Sequence, residues 1–139
     1  MPAAYTNFGK RIVYLSAPGG QFTLGPNGPI PTLPPDLDCD LGFGLGVLPC
    51  WHFDGIFTTA FFNPVRPSFY RSGFGTSFAA PHVAGVAALV IGKHGSSMLP
   101  NQVQAILRKS ADDLGPAGRD DYHGWGRVNA ERAVEMTPE

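Results

Sequence analysis

The chain has 139 residues, of which 43% are hydrophobic and only 15% charged, and its formal net charge is -1. That length suits one domain, and the near-neutral balance gives neither the basic footprint of a nucleic-acid binder nor that of a protein held to an anionic membrane surface. With 18 glycines and 14 prolines, much of the backbone is expected in loops and turns.

In chain order, Asn7-Phe8-Gly9 is a turn, and the β-branched and aromatic run from Arg11 to Leu15 predicts a strand. Ala17-Pro18-Gly19-Gly20 ends it, because proline removes a backbone donor and glycine admits positive φ. "MPAAYTNFGKRIVYL" at the start has no hydrophobic signal core. Residues 20 to 55, with six prolines in the stretch "GPNGPIPTLPPDLDCDLGFGLGVLPC" and no sustained period, read as a long surface loop. Cys39 and Cys50 lie in it. Oxidised, they would close a short loop worth about 2–3 kcal/mol in the chain-entropy account. Two free thiols are the alternative, and a zinc site shared with His52 lacks CxxC or HxxxH spacing. Asp36, Asp38 and Asp40 alternate, but the glycine and glutamate that an EF-hand loop needs are replaced by Leu41 and Val47, so they read as a solvated acidic turn. "GFGLG" at 42 to 46 lacks the strand–turn–helix setting of a nucleotide loop.

Gly55 to Phe62 predicts a strand, Pro64 and Pro67 break the chain, and "SFYRSG" predicts a short strand entering a turn at Gly73 to Thr76. The helix after that turn is the strongest signal. Thr76 or Ser77 can cap it, and Pro81 falls in its first turn or just beyond. The run Val83 to Ile91 is apolar all round, which predicts a buried helix, and by itself it is too short to cross a bilayer. Ala84, Gly85, Ala87 and Ala88 permit close approach by neighbours, and Gly92 and Gly95 end the helix. A second helix is predicted over Pro100 to Ser110, with Val103, Ile106 and Leu107 as its apolar stripe. Asn129 caps a last helix, Ala130 to Met136, with Ala133 and Val134 inward. No internal repeat or second domain is visible.

The stretch Gly75-Thr76-Ser77-Phe78-Ala79-Ala80-Pro81-His82-Val83-Ala84-Gly85 meets every fixed position of G-T-S-x-A-x-P-x-x-A-G. It resembles the serine signature of the subtilisin-like serine peptidases. "YTNFG" at 5 to 9, "LSAPGG" at 15 to 20, "NQVQAILRKSADDLG" at 101 to 115 and "GWGRVNAERAV" at 124 to 134 are similar to the segments that flank it, in the expected order. The resemblance covers residues 5 to 20 and about 55 to 135, with residues 21 to 54 as a loop insertion. It implies that residues 1 to 139 are the C-terminal portion of such a domain. The implied fold is α/β, a partial subtilisin-like three-layer arrangement of C-terminal strands and helices from a mostly parallel sheet.

By that resemblance Ser77 is the nucleophile of a serine endopeptidase, and its backbone N–H is one half of the oxyanion hole. Thr76 and Gly75 shape the turn, Pro81 and His82 have packing roles, and Phe74 and Gly73 lie beside the substrate cleft. The family has a polar residue at the position of Phe74, so a ring there alters or crowds the substrate sites. The family's chain order is aspartate, histidine, serine. Its D-[ST]-G, H-G-T and oxyanion-asparagine segments are not found before Ser77. His52 and Asp54 sit in "PCWHFDG", outside those contexts. His94-Gly95-Ser96 comes after the serine, and His82 and His123 have no base context.

The expectation is therefore a polypeptide substrate in the complete domain and a chain inactive alone, partnered by the N-terminal part of a catalytic domain. The alternative is a non-catalytic remnant or binding module that pairs with another chain. Calcium and an extracellular location enter only through the family. No nucleic acid, membrane or metal-ligand set is expected from the residues themselves.

Overall fold

The computed structural model describes residues 2–3, 5–21, 23–25, 28–30, 38–40, 47–49, 55–59, 70–95 and 97–138. They form two compact bodies. One comprises Ala3–Tyr5 and Gly19–Phe78, the other Thr6–Pro18 and Ala79–Glu139.

The first body contains three antiparallel ladders. Strand β1 (Thr23–Gly25) pairs with β2 (Gly28–Ile30), β3 (Asp38–Asp40) with β4 (Val47–Pro49), and β5 (Ile56–Thr59) with β6 (Tyr70–Gly73). Residues 20 to 55 are thus not loop throughout. Three-residue strands are too short to show a period of two, which hid them in the sequence. Their prolines, Pro29 and Pro49, are tolerated because a two-stranded ladder has a free edge on each strand. The strand predicted over Gly55 to Phe62 is described as Ile56–Thr59, and its remainder lies outside the described residues.

In the β5–β6 ladder Ile56 stands opposite Gly73 and Phe57 opposite Ser72. Phe57, Thr59, Tyr70 and Ser72 therefore share one face. There the Phe57 and Tyr70 rings stack with centroids 5.6 Å apart and 4° between their planes, a diagonal cross-strand pair. A Cβ built on Gly73 would lie 2.3 Å from Phe78 Cζ. Only a glycine leaves room for the tip of that ring.

The second body is organised by three helices. Most of α1 (Thr76–His94) belongs to it, with α2 (Pro100–Ser110) and α3 (Ala130–Glu135). The strand expected over Arg11 to Leu15 is not formed. The amides of Ile12 and Val13 bond back to the Gly9 carbonyl at 2.9 and 3.0 Å, which makes a turn of that stretch. Only Leu15 and Ser16 make bridges, antiparallel to Gly124 and parallel to Arg127 respectively. Gly124 is required at this crossing, since a Cβ there would lie 2.3 Å from the Tyr14 carbonyl oxygen.

The core consists of Val86, Val90, Val103, Leu107 and Ala133, with Leu15, Val83, Ala87, Met98, Ile106 and Val128 packed against it. On α1 the inward residues are Val83, Val86, Ala87 and Val90, an i, i+3, i+4, i+7 stripe. The expectation that α1 is buried all round is therefore corrected: one stripe is covered, while Leu89 is 54% and Ile91 42% exposed. All-round apolarity records how much surface needs cover, and within the described residues cover comes from α2, α3 and the flanking Leu15, Met98 and Val128. The helix also continues through Gly92 and stops before Gly95, whose φ is +67°. With 19 residues it is long and apolar enough, by length and composition only, to cross a membrane, unlike the Val83 to Ile91 run considered alone; a core helix meets the same criterion.

The ends of α2 and α3 are joined by polar contacts. At its start, α2 has Pro100 in the first position, and the Leu99 N–H donates to Gln102 Oε1 at 2.8 Å. At its end, Arg132 Nη1 donates to the Ser110 and Ala111 carbonyls at 3.3 and 3.2 Å, which satisfies acceptors the helix leaves open. Asn129 caps α3 as expected, its Oδ1 accepting the Arg132 N–H at 2.9 Å. Its Nδ2 donates to Asp112 at 3.0 Å, and Asp112 also pairs with Arg127 at 3.0 Å and Arg132 at 2.9 Å. The Asn129 hydrogen bond first, then that from Arg127, hold the Asp112 carboxyl below its ordinary value.

Candidate functional site

Strand β6 delivers the chain into Gly73-Phe74-Gly75, and α1 begins at once with Thr76 and Ser77. Gly75 makes the reversal. Its φ of +135° is open to glycine and strained for any residue carrying a Cβ. The Gly75 N–H donates to the Gly19 carbonyl at 2.8 Å, and its own carbonyl accepts the Phe78 N–H at 2.9 Å. Thr76 and Ser77 are thus the first residues of the helix, where a capping role outside it had been expected, because the left-handed glycine already turns the chain.

Ser77 is solvent-exposed. Its amide precedes the first bonded N–H of the helix, that of Phe78, and belongs to the set for which helix geometry supplies no partner. No acidic residue lies in the first turn, so the positive end of the helix dipole is not neutralised locally and favours a negative charge beside Ser77. Pro81, inside the helix, has no N–H, so the Ser77 carbonyl receives no bond from position i+4. The nucleophile candidate stands in the first turn of a well-formed helix whose regular bonding skips its carbonyl.

The turn is tied to a second segment. Tyr5 Oη donates to the Gly19 carbonyl at 2.6 Å and also to that of Gly20. The Gly75 backbone hydrogen-bonds the phenol oxygen, but burial outweighs this and pushes the Tyr5 phenol above its ordinary value. Tyr5 opens the "YTNFG" segment, yet sequence reasoning gave it no role. Its partners are backbone carbonyls, which leave no side-chain pattern to find.

Of the two residues expected beside a substrate cleft, Gly73 is half-buried against Phe78. Phe74 is also half-buried, its Cε1 lying 3.2 Å from where a Gly55 Cβ would stand. Part of the Phe74 ring therefore rests on the hairpin.

The described histidines are placed elsewhere. His82 follows Ser77 by five positions on the same helix, so it is turned about 140° away from it. His94 is the last residue of α1. In the second body His123 Nδ1 lies 3.3 Å from Ser16 Oγ, and Asp120 Oδ1 accepts the His123 and Tyr122 amides at 2.8 and 2.7 Å. Those amides, that of His123 first, hold the Asp120 carboxyl below its ordinary value. Cys50, His52, Asp54 and Asp36 lie outside the described residues, while Cys39 is placed by its backbone in β3 opposite Leu48. The thiol pairing therefore falls in part on residues that are not described, and of the expected acidic turn Asp38 and Asp40 are instead the two ends of strand β3, paired with Pro49 and Val47. Among the described residues no three or more histidine, cysteine, aspartate or glutamate side chains converge as a metal site.

Comparison with known proteins bears on the same elements. A family model described as the subtilase family matches residues 1–126. An extracellular serine protease of Serratia marcescens is 46% identical over 65 residues, a match covering 47% of this chain and 6% of that protein. A solved structure described as a lanthipeptide protease superposes with a TM-score of 0.65 at 32% identity, covering 98% of this chain and 38% of the other. A protease of Pseudoalteromonas arctica superposes with a TM-score of 0.63 at 29% identity, covering 98% of this chain and 32% of the other. The chain thus spans well under half the length of each of these proteins.

Proposed function

This chain belongs to the subtilase family, and from that premise we propose that Ser77 is the nucleophile of peptide-bond hydrolysis in a complete subtilisin-like domain. The fold is the expected partial subtilisin-like α/β arrangement, and the family's substrates are polypeptides. The observation that carries the proposal is the exposed Ser77 hydroxyl in the first turn of α1, directly after the left-handed Gly75.

In this reading Ser77 Oγ adds to the scissile carbonyl carbon while a general base takes its proton. The carbonyl oxygen becomes an oxyanion, which the Ser77 N–H and the positive helix end stabilise. Collapse expels the amine, which takes the proton back from the base, and leaves an acyl-enzyme that water hydrolyses. His82 points away from Ser77, and the other described histidine sites are accounted for above. As the family resemblance implies, the base is a histidine from the N-terminal part of the domain. The same part of the domain covers the exposed face of α1, including Leu89 and Ile91. Phe74 borders the substrate cleft and crowds it, and the chain by itself is inactive.

A fluorophosphonate probe tests this on the chain alone and on the chain joined to the N-terminal part of a subtilisin-like domain. Labelling of Ser77 is expected only in the joined form and is lost in Ser77→Ala. A folded joined form that stays unlabelled would instead support the second reading, a non-catalytic module that pairs with another chain. The exposed apolar face of α1 is the observation that favours such pairing.

A further inference from the structure

The Gly75 turn has to hold Ser77 in one position, and Gly73, Phe74 and Gly75 are themselves only half-buried. What ties the turn down is hydrogen bonding. The Gly75 N–H is bound to the Gly19 carbonyl at 2.8 Å, but Gly19 and Gly20 are themselves a soft support. Two adjacent glycines carry the largest backbone entropy of any pair, and Gly20 takes a φ of +80°. A support of that kind transmits position only if it is pinned from a third side.

We propose that Tyr5 is a positioning residue for the nucleophile, its phenol locking the Gly19–Gly20 segment against Gly75 and so setting where Ser77 stands. The proposal rests on the reading of Ser77 as nucleophile. Three observations carry it. Tyr5 Oη donates to the Gly19 carbonyl at 2.6 Å, the same oxygen that receives the Gly75 N–H, and to the carbonyl of Gly20. Phenol and amide thus meet on one carbonyl oxygen, that of Gly19. Gly75 lies two residues before Ser77, and a Cβ built on it would be 3.4 Å from Ser77 Oγ. A shift of the glycine is carried to Ser77 along the backbone, through the one residue between them, Thr76.

The ring alone does not supply this. Phenylalanine at position 5 would keep the packing and remove both the donor and the acceptor. The raised Tyr5 phenol also fits the role, since the group remains a donor through neutral and mildly alkaline pH. Tyr5 touches neither substrate nor the reacting atoms in this account. Its effect passes through Gly19 and Gly75, and a misplacement of about 1 Å costs up to about a hundredfold in rate.

The test is Tyr5→Phe in the joined, labelling-competent form, with two readouts. First, fluorophosphonate labelling of Ser77 is followed against probe concentration. The maximal rate is expected to fall about tenfold, the scale of one lost hydrogen bond, while the half-saturating concentration stays within about twofold. Second, amide hydrogen exchange at Gly75 is expected to quicken, with the β5–β6 amides and the thermal midpoint unchanged. An unchanged maximal rate, or a general loosening of all amides with a lower midpoint, overturns the positioning role. If the wild-type protein does not label at all, the nucleophile reading fails. The Gly75 exchange rate then still decides whether the phenol tethers the turn.

Discussion

The second body has a buried core around Val90, Leu107 and Ala133, whereas the turn that carries Ser77 is half-buried at Gly73, Phe74 and Gly75 and exposed at Thr76 and Ser77. One region is held by apolar packing, with helix ends stapled by Arg132 and Asp112. In the other, the described contacts are two-stranded ladders, a stacked ring pair and backbone hydrogen bonds at glycines. A reactive hydroxyl must meet solvent and substrate, so it cannot be enclosed by a core. The difference teaches that α1 does two jobs along its length: its inward stripe anchors it, and its first turn is left open.

The contrast is broken most strongly in the packed region. Leu107, 5% exposed, sits between α1 and the other helices of the core, and Leu107→Ala is expected to cost about 3 kcal/mol through lost transfer energy and a cavity. A lowered urea midpoint of the helical circular dichroism signal checks this. A cost under about 1 kcal/mol would mean that the cluster is not a working core.

In the open region the sensitive position is Gly75. Gly75→Ala forces a Cβ into a φ of +135° and to within 3.4 Å of Ser77 Oγ, a strain of about 1–3 kcal/mol. Its expected signature is slower probe labelling of Ser77 in the joined form with little change in the helical unfolding midpoint. If Gly75→Ala shifts the midpoint as much as Leu107→Ala does, the two regions are not separable in the way described.

The smallest effect is a pH dependence confined to the stapled helix ends. The folded Asp112 carboxyl is held below its ordinary value of 3.8 by Asn129 and Arg127. It therefore contributes stability that is present above that value and lost as pH falls through the lower folded one. The carboxyl is solvent-exposed enough for screening to keep the contribution small. In Asp112→Asn the acid-side slope of the unfolding midpoint is expected to flatten below about pH 4, with the labelling of Ser77 at neutral pH unaffected. An unchanged slope would remove Asp112 from the account of acid stability.

Much of the site was legible beforehand for a local reason. Gly75, Thr76, Ser77 and Pro81 act through backbone geometry within a few residues of one another, so a short pattern contains them. The same holds for α2, whose proline start and apolar stripe repeat within a single element, and for Asn129, which caps the helix it adjoins. Tyr5 was illegible because it works 14 and 15 residues away on the carbonyls of Gly19 and Gly20, and a carbonyl has no letter in the sequence. The strand expected over Arg11 to Leu15 failed for a related reason. β-branched residues favour extended backbone, but Gly9 offered a closer acceptor than any neighbouring strand did.

The sequence by itself determined the family, the helix that carries Ser77 and the glycine that turns the chain into it, because each depends on residues adjacent along the backbone. Only the tertiary structure decided which stripe of α1 is covered and that the phenol of Tyr5 reaches the Gly19 carbonyl to which the Gly75 turn is bound. Apolar residues on every side of a helix state a demand for contact. What meets that demand depends on which surfaces come together in space.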